Sequence, residues 1–283
     1  MITSSQNPKL KLVRALMGRA RERREANAFV VEGVRLVEEA VNAEWRFQFA
    51  LYSDGLSERG RDLVNKLLAH HIDTEEVAGD LLQKLSDTET PQGILAVLEY
   101  VELPIPEPLN FVLIPDQIRD PGNLGTLLRS AVATGVQAVL MPPETTDAFA
   151  PKVLRSGMGA HFRLPVISML WDEIEQICKS ANQQVNKSAN DQMGKSASLQ
   201  IYIADMNGTS CWETDLRQPL ALIVGGEAEG VSEEAWKLAN KQISIPMTGN
   251  VESLNAGVAG SVLMFEVVRQ RHLNTKDTKY TKV

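Results

Sequence analysis

The chain has 283 residues, 43% of them hydrophobic, with 36 acidic against 29 basic side chains and a formal net charge of −7. That balance excludes a disordered, collagen-like or disulfide-stapled chain, and the length suffices to bury roughly three quarters of the unfolded surface in a core that needs no metal staple. Cys178 and Cys211 form no CxxC pair, no apolar run approaches the length of a membrane helix, and residues 1–11 lack the apolar stretch of a signal peptide, so a cytoplasmic location is expected.

The first 30 residues hold seven basic side chains against two acidic ones, a local +5 that leaves −12 for the remainder. A basic helix over about 7–25, carrying Lys9, Lys11, Arg14, Arg21, Arg23 and Arg24, would set cations against RNA phosphates, because neutralising phosphates releases counterions. A solvated helix face explains the same run. There follow a strand at 29–31, a helix at 35–41, a strand at 47–51, helices at 57–70 and 78–85, and a strand at 94–98, together a small α/β domain over 1–98. Prolines 104, 106 and 108 then favour a stiff extended linker over 99–109.

From 110 to 273 short apolar runs alternate with helical segments: strands at 111–114, 138–141, 164–168, 201–204, 220–224 and 243–245, and helices at 122–134, 150–157, 172–179, 232–240 and 253–271. This pattern predicts a parallel sheet covered on both faces, with ligands bound beyond the carboxyl ends of the strands. Two segments break it. Lys-Ser-Ala recurs every eight residues through 179–198, which reads as a flexible insertion, and repeated Thr-Lys pairs mark 274–283 as a disordered tail.

No P-loop, Rossmann glycine fingerprint, zincin or nucleophile-elbow motif occurs, and His70, His71, His161 and His272 lack metal-ligand spacing, so no metal is expected. Three strand exits remain as places for chemistry. After Ile114 the chain reads Asp120-Pro121-Gly122-Asn123, a predicted turn, with Arg129 six residues beyond Asn123. After Val224, Gly225 and Gly226 allow close backbone approach to a ligand and Glu227 follows. After Ile245, a proline and a polar loop lead to Ser253, placed to cap the last helix, and to small residues at 256, 257, 259 and 260.

In order, N-x-G-x-x-x-R (Asn123, Gly125, Arg129), G-x-E (Gly225, Glu227) and I-P-M-x-G…S-L-N (Ile245, Pro246, Met247, Gly249, Ser253, Leu254, Asn255) resemble the SpoU/TrmH family of RNA 2′-O-ribose methyltransferases. Residues 1–98 look like that family's amino-terminal RNA substrate-binding domain. Gly226 stands where the family often has Asn or Ala, and Ala256-Gly257 where it more usually has Val-Ser. The resemblance implies a SPOUT α/β domain with a deep trefoil knot, homodimerisation through the final helix, and S-adenosyl-L-methionine held by Val224, Gly225, Ile245, Met247 and Leu254. It assigns catalysis to Asn123, Arg129, Glu227, Ser253 and Asn255. Arginine is a poor base, so Arg129 is expected to clamp the phosphate beside the target ribose, with Ser253 and Asn255 orienting the ribose or Arg129 and Glu227 fixing its loop. The added domain favours ribosomal over transfer RNA as substrate. A non-catalytic RNA-binding or ribosome-assembly protein on the same scaffold, and a small-molecule Rossmann-type methyltransferase, are the rival readings.

Overall fold

A computed structural model of the chain describes residues 1–189, 199–227, 229–249 and 253–273. It divides into two compact units, one of residues 1–102 and 147–163, the other of 103–146 and 164 onward.

In the first unit, Asn7 caps α1 (Pro8–Gly18) by accepting from Lys9 N at 2.8 Å, and Pro8 occupies the first turn, where its missing N–H costs nothing. The single basic helix expected over 7–25 is instead two. Arg19 is extended, and α2 (Ala20–Ala26) starts afresh and ends on Asn27 in the left-handed region at φ 48°. The break turns Arg23 inward, where its guanidinium donates to the carbonyl of Leu16 at 2.6 Å, one of the oxygens that the end of α1 leaves without a helical partner.

Next come β1 (Ala28–Glu32), α3 (Val34–Asn42), β2 (Phe47–Tyr52), α4 (Glu58–Ala69), β3 (Thr74–Glu76), α5 (Gly79–Gln83) and β4 (Ile94–Glu99). They build a mixed sheet in the order β1-β4-β2-β3, parallel only between β2 and β3. Leu10, Val13 and Leu16 of α1 pack on Val30, Leu51 and Val97 to form its core.

The segment 147–163, expected with the carboxy-terminal block, belongs to this unit. It carries α7 (Pro151–Gly157) and a 3-10 turn over Ala160–Phe162. Phe149 lies 4.9 Å from the Phe29 ring and 4.4 Å from Tyr100, Phe162 lies 5.1 Å from Trp45, and Asp147 pairs with Arg23 at 2.6 Å. Aromatic burial, which no local sequence pattern reports, decides where this segment goes.

His161 in the same segment is fully buried. Its Nε2 donates to Ala148 O at 2.8 Å, and burial depresses its pKa from 6.5 to about 4. A lowered folded pKa means the unfolded chain takes up the proton first as pH falls. The neutral imidazole's contribution is therefore complete above about pH 6.5 and is lost towards pH 4, a loss of about 3 kcal/mol. Thermal melts between pH 7.5 and 4.5 should show this acid sensitivity in the wild type and a flatter profile in His161→Gln.

The second unit holds β5 (Phe111–Asp116), α6 (Pro121–Ala133), β6 (Ala138–Met141), β7 (Val166–Ser168), α8 (Trp171–Ala189), β8 (Gln200–Ser210), β9 (Leu220–Gly225), α9 (Glu233–Leu238), β10 (Lys241–Ser244) and α10 (Ala256–Leu273). Its six strands are all parallel, in the order β10-β8-β9-β5-β6-β7, as the apolar runs require. β6 and β7 are added on one side of β5, and β8, β9 and β10 on the other, so the strand order reverses at the β5–β9 seam.

α8 continues to Ala189, through the first part of the insertion expected to be flexible from 179. Ala, Lys and Gln are all favourable helix formers, and this suffices to extend an already anchored helix. The rest of the repeat and the tail lie outside the described residues. No helix among the described residues is long and apolar enough to cross a membrane.

Candidate active site

Ligand crevices in open parallel sheets lie beyond the carboxyl ends of the strands where strand order reverses. Here that point is the β5–β9 seam, paired in register as far as Asp116 and Gly225. The loops after β5, β9 and β10 contain the three motifs.

The segment 120–123 is a helix start rather than a turn. Asp120 caps α6, its Oδ1 accepting from Asn123 N at 2.8 Å, and Pro121 follows as the first helical residue. This fixes Asn123 in the first turn with its amide free to point outward. Asn123 Nδ2 donates to Glu227 Oε1 at 2.8 Å. Asn255 Nδ2 reaches both Asn123 Oδ1 at 2.8 Å and Glu227 Oε1 at 2.6 Å. Three of the five expected catalytic residues thus form one hydrogen-bonded cluster, each from a different strand exit.

Ser253, expected to cap the last helix, does not. α10 begins at Ala256, and Asn255 is the cap, its Oδ1 accepting from Val258 N at 3.1 Å. Asn255 therefore does two things at once, ending the loop and joining the cluster.

The Gly225–Gly230 turn is closed by paired backbone hydrogen bonds between Gly226 and Gly230, at 2.9 and 3.1 Å. A Cβ on Gly225 would lie 2.6 Å from the Gly230 carbonyl, so no other residue fits without moving the turn. Beneath it Asp116, which is not among the expected site residues, is buried. Its Oδ2 accepts from Ser232 N at 2.6 Å, and burial pushes its carboxyl above the usual carboxylate range. An acid ending an otherwise apolar strand was the available signal. α10 packs closely on α6 through small residues, with the Ser130 and Ser261 hydroxyls 2.7 Å apart.

Two cavities flank the cluster. The larger, of about 310 Å³, is lined by all five residues expected to hold the cofactor, Val224, Gly225, Ile245, Met247 and Leu254, and by Ser253. Ile243, Leu263 and Trp236 add apolar walls, while Asp205, Glu227 and Glu229 place carboxylates on it. Its size falls within the range of ligand pockets. The second, of about 230 Å³, is lined by Gln117, Arg119, Asp120 and Asn123, and shares Glu227 with the first. Arg129 lines neither. It sits exposed on α6 and makes no hydrogen bond or ion pair among the described residues. Six residues along a helix turn a side chain through about 240° from Asn123, which explains the separation.

The six basic residues proposed for RNA divide sharply. Lys9 is bound by Asp73 at 2.5 Å and by Glu75, and Arg21 by Glu25 at 2.6 Å. Arg23 is a correction to the expected RNA face: only 3% exposed, it is a structural cation held by Asp147 and the Leu16 carbonyl. Lys11, Arg14 and Arg24 are exposed and have no ion-pair partner among the described residues. Replacing these three with alanine should weaken RNA binding uniformly and reduce the slope of log K against log salt by about 2. Arg23→Ala should instead cost about 2–3 kcal/mol of stability by stranding Asp147, read by denaturant titration.

Residues 110–265 match the SpoU rRNA Methylase family, and residues 7–96 match the MRM3-like substrate binding domain. The chain is 32% identical over 267 residues to the 23S rRNA (guanosine(2553)-2'-O)-methyltransferase RlmP of Bacillus subtilis, covering 94% of this chain and 98% of that one. It is 31% identical over 278 residues to the 23S rRNA (uridine(2479)-2'-O)-methyltransferase of Streptomyces viridochromogenes, covering 95% and 92%. Among solved structures it is similar to the SpoU methyltransferase AviRb of that organism in complex with AdoMet, with a TM-score of 0.79 and 28% identity over 94% of this chain and 100% of that chain.

Proposed function

Because the chain belongs to the SpoU rRNA methylase family, we propose that it methylates a ribose 2′-hydroxyl of large-subunit ribosomal RNA in the cytoplasm, using S-adenosylmethionine. The observation that carries this reading is the Asn123–Glu227–Asn255 cluster set against the cavity lined by Gly225, Ile245 and Leu254. That cavity suits the cofactor. Its apolar walls accept a purine and a thioether chain, the half-buried backbone at Gly225 lines it, and its carboxylates match a molecule bearing ammonium and sulfonium charge. When bound, the cofactor supplies a methyl group on a positively charged sulfur.

The chain's own residues bind and orient. Asn123 and Asn255 hold Glu227 and so fix the glycine turn that walls the cavity. Ser253, on the cavity wall, orients the ribose. Arg129 clamps the phosphate beside it through a bidentate contact, aligning the hydroxyl and stabilising charge that develops on it. Alignment alone is worth roughly 7–11 kcal/mol. The deep trefoil knot implied by the family goes with this reading.

So does a homodimer formed through α10. Val258, Val262 and Phe265 stand 47%, 42% and 52% exposed, spaced at four and three residues, and make an apolar stripe along that helix. Sedimentation should show a dimer in the wild type and a monomer in Phe265→Asp.

Labelled methyl transfer to unmodified ribosomal and transfer RNA, followed by mapping of 2′-O-methyl positions, tests the function. Label on one ribose of 23S-type RNA is the expected result. Label on transfer RNA alone overturns the substrate, and RNA binding without transfer favours the non-catalytic reading.

A further inference from the structure

The second cavity beside the cluster has no occupant in the methyl-transfer scheme. It shares Gly226, Glu227, Glu229 and Ala256 with the first, so whatever enters it lies next to the cofactor cavity. Asp120, Glu227 and Glu229 line it with carboxylates, and Arg119 is the only cation among its described lining residues. An RNA backbone arriving there meets repulsion from three acids, and Arg119 alone can receive a phosphate.

Arg119 is held between two fixed neighbours. Ile118 is buried and its carbonyl accepts from Thr146 N at 2.9 Å, while Asp120 caps α6. The Arg119 side chain itself is open, 61% exposed. Its Nη2 donates to Glu229 Oε2 at 2.8 Å, with Glu144 Oε2 3.8 Å away, and Nε and Nη1 make no hydrogen bond among the described residues.

Gly226, where the family often has Asn or Ala, brings Glu229 within reach. A Cβ at 226 would lie 2.3 Å from the Gln117 carbonyl oxygen, so the bare glycine lets its turn press against the loop that carries Arg119. The resulting ion pair is exposed on both sides and contributes little to stability, so another anion can replace Glu229 at small cost. A phosphate is the stronger competitor, because it can take Nη1 and Nη2 together where the carboxylate takes Nη2 alone.

We propose that Arg119 binds a backbone phosphate of the RNA at the second cavity, and that Glu229 holds that phosphate's place in the free protein. RNA displaces the carboxylate, and the guanidinium stays paired throughout. A polyanion that cannot set a phosphate on the fork meets only the three acids, which favours a backbone of the right shape. This contact is separate from the phosphate assigned to Arg129 and rests on the function proposed above.

Filter binding of unmodified 23S-type ribosomal RNA to the full chain, without cofactor and over a range of salt, tests the exchange. Arg119→Ala is expected to weaken binding about tenfold and to lower the slope of log K against log salt by about 1. Glu229→Gln should tighten binding about threefold, because the competitor loses its charge and keeps its shape. The double variant decides between exchange and simple repulsion: with Arg119 gone, Glu229→Gln should leave binding unchanged within about 1.5-fold. Equal tightening in both backgrounds overturns the exchange, and so does wild-type affinity in Arg119→Ala or a wild type that does not bind the RNA. Methyl transfer is assayed separately. Transfer by a wild type whose RNA binding ignores Arg119 refutes the exchange and keeps the enzyme, whereas exchange without transfer refutes the enzyme and keeps the phosphate contact.

Discussion

Arg129→Ala is expected to lower the rate of methyl transfer about a thousandfold, in the upper range for loss of one preorganised donor to developing charge. Affinity for S-adenosylmethionine should stay within about twofold, because Arg129 lines neither cavity and holds no residue of the Asn123–Glu227–Asn255 cluster among the described contacts. An exposed guanidinium with no ion-pair partner is available to a phosphate at little desolvation cost. On the proposed role, removing it takes away the phosphate contact and disturbs little in the free protein. Arg129→Lys keeps the charge but loses the planar fork, so it should recover only part of the rate. Rates come from labelled methyl transfer and affinities from calorimetry. Substantial methylation by Arg129→Ala would remove this residue from the mechanism.

Gly225→Ala should produce the opposite pattern. A Cβ at 225 would stand 2.6 Å from the carbonyl carbon and oxygen of Gly230 and 2.7 Å from a methyl of Val231, and the Gly230 atoms are backbone that cannot simply rotate away. The turn must open, which moves the cavity wall and carries Glu227 away from both asparagine amides. A loss of cofactor affinity on the order of a hundredfold, about 2.7 kcal/mol, is the expected result by calorimetry. Gly249→Ala is the matched control: a Cβ there meets nothing within 4 Å and should leave affinity unchanged. Equal behaviour of the two variants would show that the turn is not part of the cofactor site.

Local chemistry that repeats along the chain was legible in the sequence, and chemistry that depends on distant partners was not. The alternation of apolar runs with helices after 110 yielded the parallel sheet, because a strand buried on both faces must be apolar throughout, as β5 and β9 are. β3 escaped notice because Thr74-Glu75-Glu76 is a short polar strand held at the sheet edge by β2 alone. Within the site, glycine and proline mark the strand exits, whereas the five residues expected to hold the cofactor follow from the family resemblance and line one cavity.

Which residue caps α10 turned on a shift of two residues, from Ser253 to Asn255, both good caps. The bonds from Asn255 to Asn123 and Glu227, residues far away in sequence, favour Asn255. The basic amino-terminal run is a similar case. Seven cations look alike in sequence, and only the positions of Asp73, Glu75 and Asp147 separate those that hold the fold together from those left for a ligand.

The return of residues 147–163 to the amino-terminal unit bears on how such a protein can be taken apart or recombined. A chain cut in the proline linker would keep Arg23 but lose Asp147, and would leave Phe29 and Tyr100 without the Phe149 ring. The two units are interleaved along the gene. Grafting this amino-terminal unit onto another methyltransferase therefore means transplanting two separate stretches of sequence, with 147–163 spliced in after the second strand of the recipient's sheet.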